Sequence, residues 1–193
     1  MRIFISGGCK NGKSFYAQRI AKAQCTEMEI NMGRLYYIAT MKPIDEEDEQ
    51  CIAQHQKERD GWGFTTIEQP MDIERILDRC DGGGSFLLDS VTALLANEMF
   101  PPPDWNVNGQ ATEKIIAGLY KIFDNIENIV IVSDYIYSDA FIYDELTEKY
   151  RKSLAEIDRM AAKNCDVVLE IAYTSVIVHK GKEIFGEIYD KIF

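Results

Sequence analysis

With 193 residues, 46% hydrophobic and 27% charged, the chain has the make-up of an ordinary globular protein, and it reads as a single domain over 1–193. Its 21 basic against 32 acidic residues leave a net charge of −11, which argues against general nucleic-acid binding because the phosphate backbone would be repelled, though not against a nucleotide held in one local pocket. No apolar run is long enough to span a bilayer, the N-terminus reads as a strand rather than a signal peptide, and five cysteines without C-x-x-C spacing fit reduced thiols and no zinc site, so a cytoplasmic location is expected.

The first element is a short apolar strand, Arg2 to Ser6, followed by Gly7, Gly8, Cys9, Lys10, Asn11, Gly12, Lys13 and Ser14, which fit G-x-x-x-x-G-K-[ST] without a mismatch. A helix beginning near Lys13 follows. Strand, glycine loop and helix are in the order a phosphate-binding loop needs. Glycines at Gly7 and Gly12 permit backbone angles that let the loop turn its N–H groups inward, and the helix adds the positive end of its dipole. In that motif Lys13 reaches the β- and γ-phosphates of GTP or ATP and the Ser14 hydroxyl ligates Mg²⁺. Cys9 is read as a small tolerated residue of the loop, although a thiol near a helix N-terminus can be reactive.

Gly33 to Thr40 reads as the second strand, and the acidic stretch after it leads into a helix from Asp45 to about Asp60 that carries Cys51, Ile52, His55 and Arg59. Phe64 to Pro70 reads as a short strand closed by proline and Met71 to Arg79 as a short helix. After Gly82-Gly83-Gly84, Ser85 to Leu88 delivers Asp89 to the end of a buried strand, where phosphate-loop enzymes place the acid that holds Mg²⁺ directly or through water. Asp89 also precedes the helical run that starts at Val91, so a helix N-cap is the competing reading.

Pro101 to Gly109 is irregular because three consecutive prolines exclude helix and central strand. Its Trp105 is either a lid or oligomer contact, or an aromatic pinning the loop to the body. A helix from Gln110 to about Ile126, a buried strand from Asn128 to Tyr137, a long amphipathic helix from Asp144 to Lys163, two strands in CDVVLEIA and TSVIVHK, and a tail ending in EIYDKIF complete the chain. Strand and helix alternate, which predicts an α/β fold of P-loop NTPase type with a mainly parallel sheet flanked by helices. The last two strands are too close in sequence for a helical crossover and are predicted to pair antiparallel. His179 in the last strand reads as structural.

With these elements placed, the sequence resembles the bifunctional adenosylcobinamide kinase / adenosylcobinamide-phosphate guanylyltransferase family of cobalamin biosynthesis. The likeness rests on the loop Gly7 to Ser14, YIAT at Tyr37 to Thr40, an I-x-x-H-x-x-x-R signature at Ile52, His55 and Arg59, a T-x-E-like end at Thr66 and Glu68, the acid at Asp89, Val132-Ser133, and an aromatic-Arg pair at Tyr150-Arg151. It spans nearly the whole chain. The resemblance implies a RecA-like fold, a homotrimer, nucleotide-dependent phosphorylation of a corrinoid hydroxyl, and GMP transfer from GTP to that phosphate through a guanylyl-histidine.

Carried over by position, His55 would be the nucleophile, with Arg59 one turn further on the same helix face neutralising phosphate charge. On residue type alone, a lone helical histidine is more often a surface or packing residue. The chain departs from the family after Ser133. Where the family has Asn-Glu and Val-Gly-x-Gly, this chain has Asp134-Tyr135 and Ile136-Tyr137-Ser138-Asp139, which removes two permissive glycines near a possible corrinoid or guanine site. Two other functions therefore stay open: a diverged P-loop kinase acting on another small hydroxylated metabolite, and a nucleotide-binding regulatory protein without turnover.

Overall fold

The computed structural model describes residues 1–27, 34–43, 46–137 and 139–192, the side chains at 47, 48, 51, 54, 55, 58, 188 and 190–192 excepted. Parts of the sequence reading at Gly33, Asp45, Ser138 and Phe193 lie outside these residues.

Strands β1 (Arg2–Gly7), β4 (Ser85–Asp89) and β5 (Asn128–Asp134) are near-continuous apolar runs, the mark of strands covered on both faces. They form the middle of a seven-stranded sheet with β2 (Leu35–Ala39), β3 (Phe64–Glu68), β6 (Val167–Ala172) and β7 (Ser175–Lys180), in the order β3-β2-β4-β5-β1-β6-β7. All neighbouring pairs are parallel except β6 and β7. Those two are joined by Tyr173 and Thr174, both at positive φ, as a two-residue hairpin turn requires. The fold class predicted from the sequence is thus the one found.

Strand alternation sorts the interior into two cores. Phe4, Phe86, Leu88, Ile129 and Ile131 face α3 (Val91–Met99), α4 (Ala111–Asn125) and α5 (Glu145–Asn164). Ile3, Ile5, Leu87, Val130 and Val132 face the opposite way, against Ala17, Ile20 and Ala21 of α1 (Lys13–Glu27) and Phe185 of α6 (Lys182–Ile192). The remaining helix, α2 (Glu46–Glu58), connects β2 to β3.

Several local expectations need correction. The segment read as a short helix is a 3-10 helix, Ile73–Asp78, which suits six residues whose buried Ile73 and Ile76 are three apart and eclipse on one side. Strand β5 ends at Asp134 rather than Tyr137, because the Asp134 N–H turns to the Thr92 hydroxyl at 2.9 Å and the Tyr135 N–H to the Gly7 carbonyl at 3.2 Å. The C-terminal tail folds as α6 and buries Phe185. Trp105 is about half exposed.

Candidate functional site

Parallel strands all present their C-terminal ends at one edge, and β1, β4 and β5 deliver Gly7, Asp89 and Asp134 there. The loop from Gly7 to Gly12 then passes into α1, whose first turn is closed by the Phe15 and Tyr16 N–H groups on the Gly12 carbonyl. Gly12 adopts φ 83°, as expected, but the other left-handed residue of the loop is Lys10 at φ 57°. Gly7 is required for a different reason from the one read in the sequence. A Cβ there would lie 2.5 Å from the Ile171 carbonyl oxygen and 3.1 Å from Cδ of Lys13.

Lys13 is only 6% exposed. Its Nζ donates to the Gly8 carbonyl at 2.6 Å and pairs with Oδ1 of Asp134 at 2.6 Å. An ammonium group is thereby held at the mouth of the loop by partners that an incoming phosphate oxygen can replace. Ser14 stands next to it at the start of α1, while Gly8, Cys9, Lys10 and Asn11 line the loop with Cys9 and Lys10 exposed.

Asp89 shares the α1 face of the sheet with Leu87. The competing role, capping α3, falls instead to Ser90, whose hydroxyl accepts from the Ala93 N–H at 3.3 Å. The Asp89 carboxylate is left for other partners, and its Oδ2 accepts from the Tyr37 hydroxyl at 3.0 Å. Thr40, which ends the YIAT run, braces the same strand end. Its hydroxyl accepts from the Ser90 N–H at 2.7 Å, and its carbonyl accepts from the Asn97 amide at 2.8 Å. A hydroxyl at Ser14 and a carboxylate at Asp89 are hard oxygen donors of the kind magnesium takes, so the side chains present fit that ion.

Arg59 follows the last turn of α2 and is 7% exposed. Its guanidinium carbon lies 3.8 Å from the centroid of the Tyr37 ring, and its Nη2 is 3.5 Å from the Thr66 hydroxyl. The structure therefore joins Arg59 to Tyr37 and, through it, to Asp89. His55 lies on α2 one turn before Arg59, and its side chain lies outside the described residues. His179 pairs with Glu170 of the neighbouring strand at 2.8 Å on the surface.

Beyond Asp134 the chain is held from α5. Arg151 donates from Nε to the Ile136 carbonyl at 3.1 Å and from Nη2 to Asp139 at 2.9 Å, pairs with Glu148, and stacks on the Tyr143 ring at 4.7 Å. The Tyr137 hydroxyl donates to Asp158 at 2.9 Å. Asp158 is 3% exposed, and burial pushes its carboxyl up to about 7, the Asp134 charge adding to this while the nearby Ser133 hydroxyl and the hydrogen bond from Tyr137 oppose it. Tyr137 and Asp139 are thus tied to α5.

In the sequence Tyr37 stands out only as part of YIAT and Asp134 only as a departure from the family, and neither is given a role in the site there. Asp134 carries the same signal as Asp89, an acid that ends an apolar run. Its place opposite Lys13 depends on β5 lying between β4 and β1.

Residues 3–176 match the family described as CobU, cobinamide kinase / cobinamide phosphate guanyltransferase. The chain belongs to this family. A curated relative of this CobU-family chain is the bifunctional adenosylcobalamin biosynthesis protein CobP of Pseudomonas aeruginosa, 25% identical over 169 residues that cover 87% of this chain and 91% of the relative. Among solved structures, an ATPase domain superposes with a TM-score of 0.50 at 10% identity, covering 94% of this chain and 77% of that one. At that identity the likeness is one of fold, the P-loop NTPase architecture. Among the described residues of this CobU-family chain, no helix is long and apolar enough to cross a membrane.

Proposed function

We propose that the chain phosphorylates adenosylcobinamide with GTP or ATP and then transfers GMP from GTP to the resulting phosphate in cobalamin biosynthesis. The observation that carries the kinase half is the buried Lys13 ammonium at the mouth of a glycine loop, with Asp89 and Asp134 on the adjoining strand ends. Membership of the CobU family supports the corrinoid as substrate.

In the kinase step the triphosphate draws Lys13 from Asp134, and the loop N–H groups with the α1 N-terminus hold the β- and γ-phosphates. The corrinoid hydroxyl oxygen attacks the γ-phosphorus and gives up its proton to water, the bond to the β-phosphate oxygen breaks, and the nucleoside diphosphate leaves. Ser14 and Asp89 would hold Mg²⁺, which would neutralise phosphate charge as the leaving diphosphate develops it. In the transferase step a ring nitrogen of neutral His55 attacks the α-phosphorus of GTP and pyrophosphate leaves. An oxygen of the corrinoid phosphate then attacks the same phosphorus, and the N–P bond breaks to restore the imidazole.

Incubation with GTP labelled at the α-phosphate tests the second half. An acid-labile protein label that is lost in His55→Ala is expected; a wild-type protein that takes no label would remove guanylyl transfer from the reading. The homotrimer expected by resemblance is checked by light scattering, with a mass of three chains as the expected result.

A second reading, a P-loop kinase for another small hydroxylated metabolite, draws on the segment after Asp134, where Tyr137 and Asp139 stand in place of glycines and are tied to Asp158 and Arg151. Titration with cobinamide, followed by its visible absorption, separates the two: saturable binding favours the corrinoid enzyme.

A further inference from the structure

On the α1 face, one strand near the sheet edge, one helix end and the candidate metal acid meet through a single phenol. Tyr37 of β2 is buried with its ring in the α1-side core, and in the register of β2 against β4 it lies opposite Leu87, two residues before Asp89. Its hydroxyl reaches diagonally along the strand to Oδ2 of Asp89 at 3.0 Å. Above the ring, at 3.8 Å from its centroid, sits the guanidinium of Arg59, itself buried. Thr66, the register partner of Tyr37 on β3, lies 3.5 Å from Nη2 of the same arginine.

We propose that Arg59 and Tyr37 are positioning residues for Asp89: they orient its carboxylate toward the metal and phosphates and couple the end of α2 to that orientation. The inference rests on the reading of Asp89 as the metal acid.

Three physical steps carry it. A carboxylate that accepts a hydrogen bond at one oxygen loses free rotation about its Cβ–Cγ bond and presents the other oxygen in a set direction. A cation against the face of a desolvated phenol withdraws electron density from the ring and makes the O–H a stronger donor. Finally, the arginine is the first residue after α2, so the helix that carries His55 ends on the group that orients Asp89. Stacking on Tyr37 leaves the in-plane N–H edge of the guanidinium as a donor, so the proposed route through Tyr37 and Asp89 acts beside any contact that edge makes with phosphate.

The test uses the full chain saturated with a non-hydrolysable GTP analogue, with Mn²⁺ as a paramagnetic probe followed by electron paramagnetic resonance. Wild-type protein is expected to bind one Mn²⁺ per chain. Tyr37→Phe keeps the ring in the core and removes only the hydroxyl. It should weaken Mn²⁺ about tenfold while leaving metal-free analogue binding within about twofold. Arg59→Met should weaken Mn²⁺ roughly threefold to tenfold, and Arg59→Lys, which keeps a cation over the ring, should restore most of the loss. A merely structural arginine would not distinguish lysine from methionine in this way at equal folded fraction. Wild-type Mn²⁺ affinity in both Tyr37→Phe and Arg59→Met would overturn the inference and leave the metal role of Asp89 intact. A wild-type complex that binds no Mn²⁺ would overturn the metal role itself, and this inference with it.

Discussion

Two neighbouring stretches at the C-terminal edge of the sheet are built in opposite ways. The loop from Gly7 to Ser14 owes its shape to its own backbone: one glycine is required by close approach, another by positive φ, and the helix begins at once. The described residues between Tyr135 and Tyr143 owe less to backbone requirements and more to side-chain contacts. Some of these lie within the segment, where Asp139 accepts from the Phe141 N–H and the Tyr143 hydroxyl, and some come from α5. Phe141 and Ile142 are 75% and 98% exposed, Tyr137 packs at the margin of the core, and Arg151 and Asp158 of α5 hold Ile136, Asp139 and Tyr137 through polar contacts. The first is a local motif that any sheet of this kind can carry. The second draws on a helix that follows it in sequence.

The largest expected effect breaks the first region alone. Lys13→Ala should lower phosphoryl transfer and triphosphate affinity by about a hundredfold to a thousandfold, since a preorganised charge facing the phosphates is lost, while the melting temperature moves little by comparison. Steady-state kinetics beside a thermal melt checks this.

The second region should respond in the reverse sense. Arg151→Met leaves Asp139 and Glu148 without their buried cation and frees the Ile136 carbonyl. A loss of about 3 kcal/mol in denaturant unfolding is expected, with nucleotide affinity of the folded fraction held within about twofold.

Asp158 sharpens the same contrast through pH. Its carboxyl stands at about 7 in the folded protein, above the ordinary value, so the folded state holds the proton more tightly than the unfolded one. Its contribution to stability is then complete below the unfolded value and lost as pH rises toward 7. Asp158→Asn removes that loss. Relative to wild type, the variant should gain up to about 2 kcal/mol between pH 5 and pH 8, measured as the difference in unfolding free energy at the two values.

The smallest effect lies where the two regions touch. Asp134→Asn removes the charge that competes with phosphate for Lys13, and triphosphate should bind about tenfold tighter by calorimetry. Weaker binding would mean that Asp134 itself helps to hold the nucleotide.

The legible parts of this chain were those whose cause is local. A β-branched and aromatic run before a glycine loop names a strand, the loop motif names a ligand class, and two strands separated by a turn can only pair antiparallel. The family also followed from motifs, because Gly7 to Ser14 and the spacing of Ile52, His55 and Arg59 are matters of spacing within the chain. The C-terminal tail became a helix because Phe185 finds the α1-side core, a tertiary partner that its own sequence does not display.

Sequence alone therefore determined the strand–loop–helix unit, the alternation that makes the sheet mainly parallel, and the family. Tertiary structure decided which acid faces Lys13, that Ser90 and not Asp89 caps α3, and that Arg59 lies on Tyr37. The reason is strand order. Periodicity specifies which face of a strand is buried, but which strands become neighbours depends on how crossover helices pack across the whole sheet. Placing β5 between β4 and β1 is what brings Asp134 to the lysine and sets Asp89 one strand away beside Tyr37.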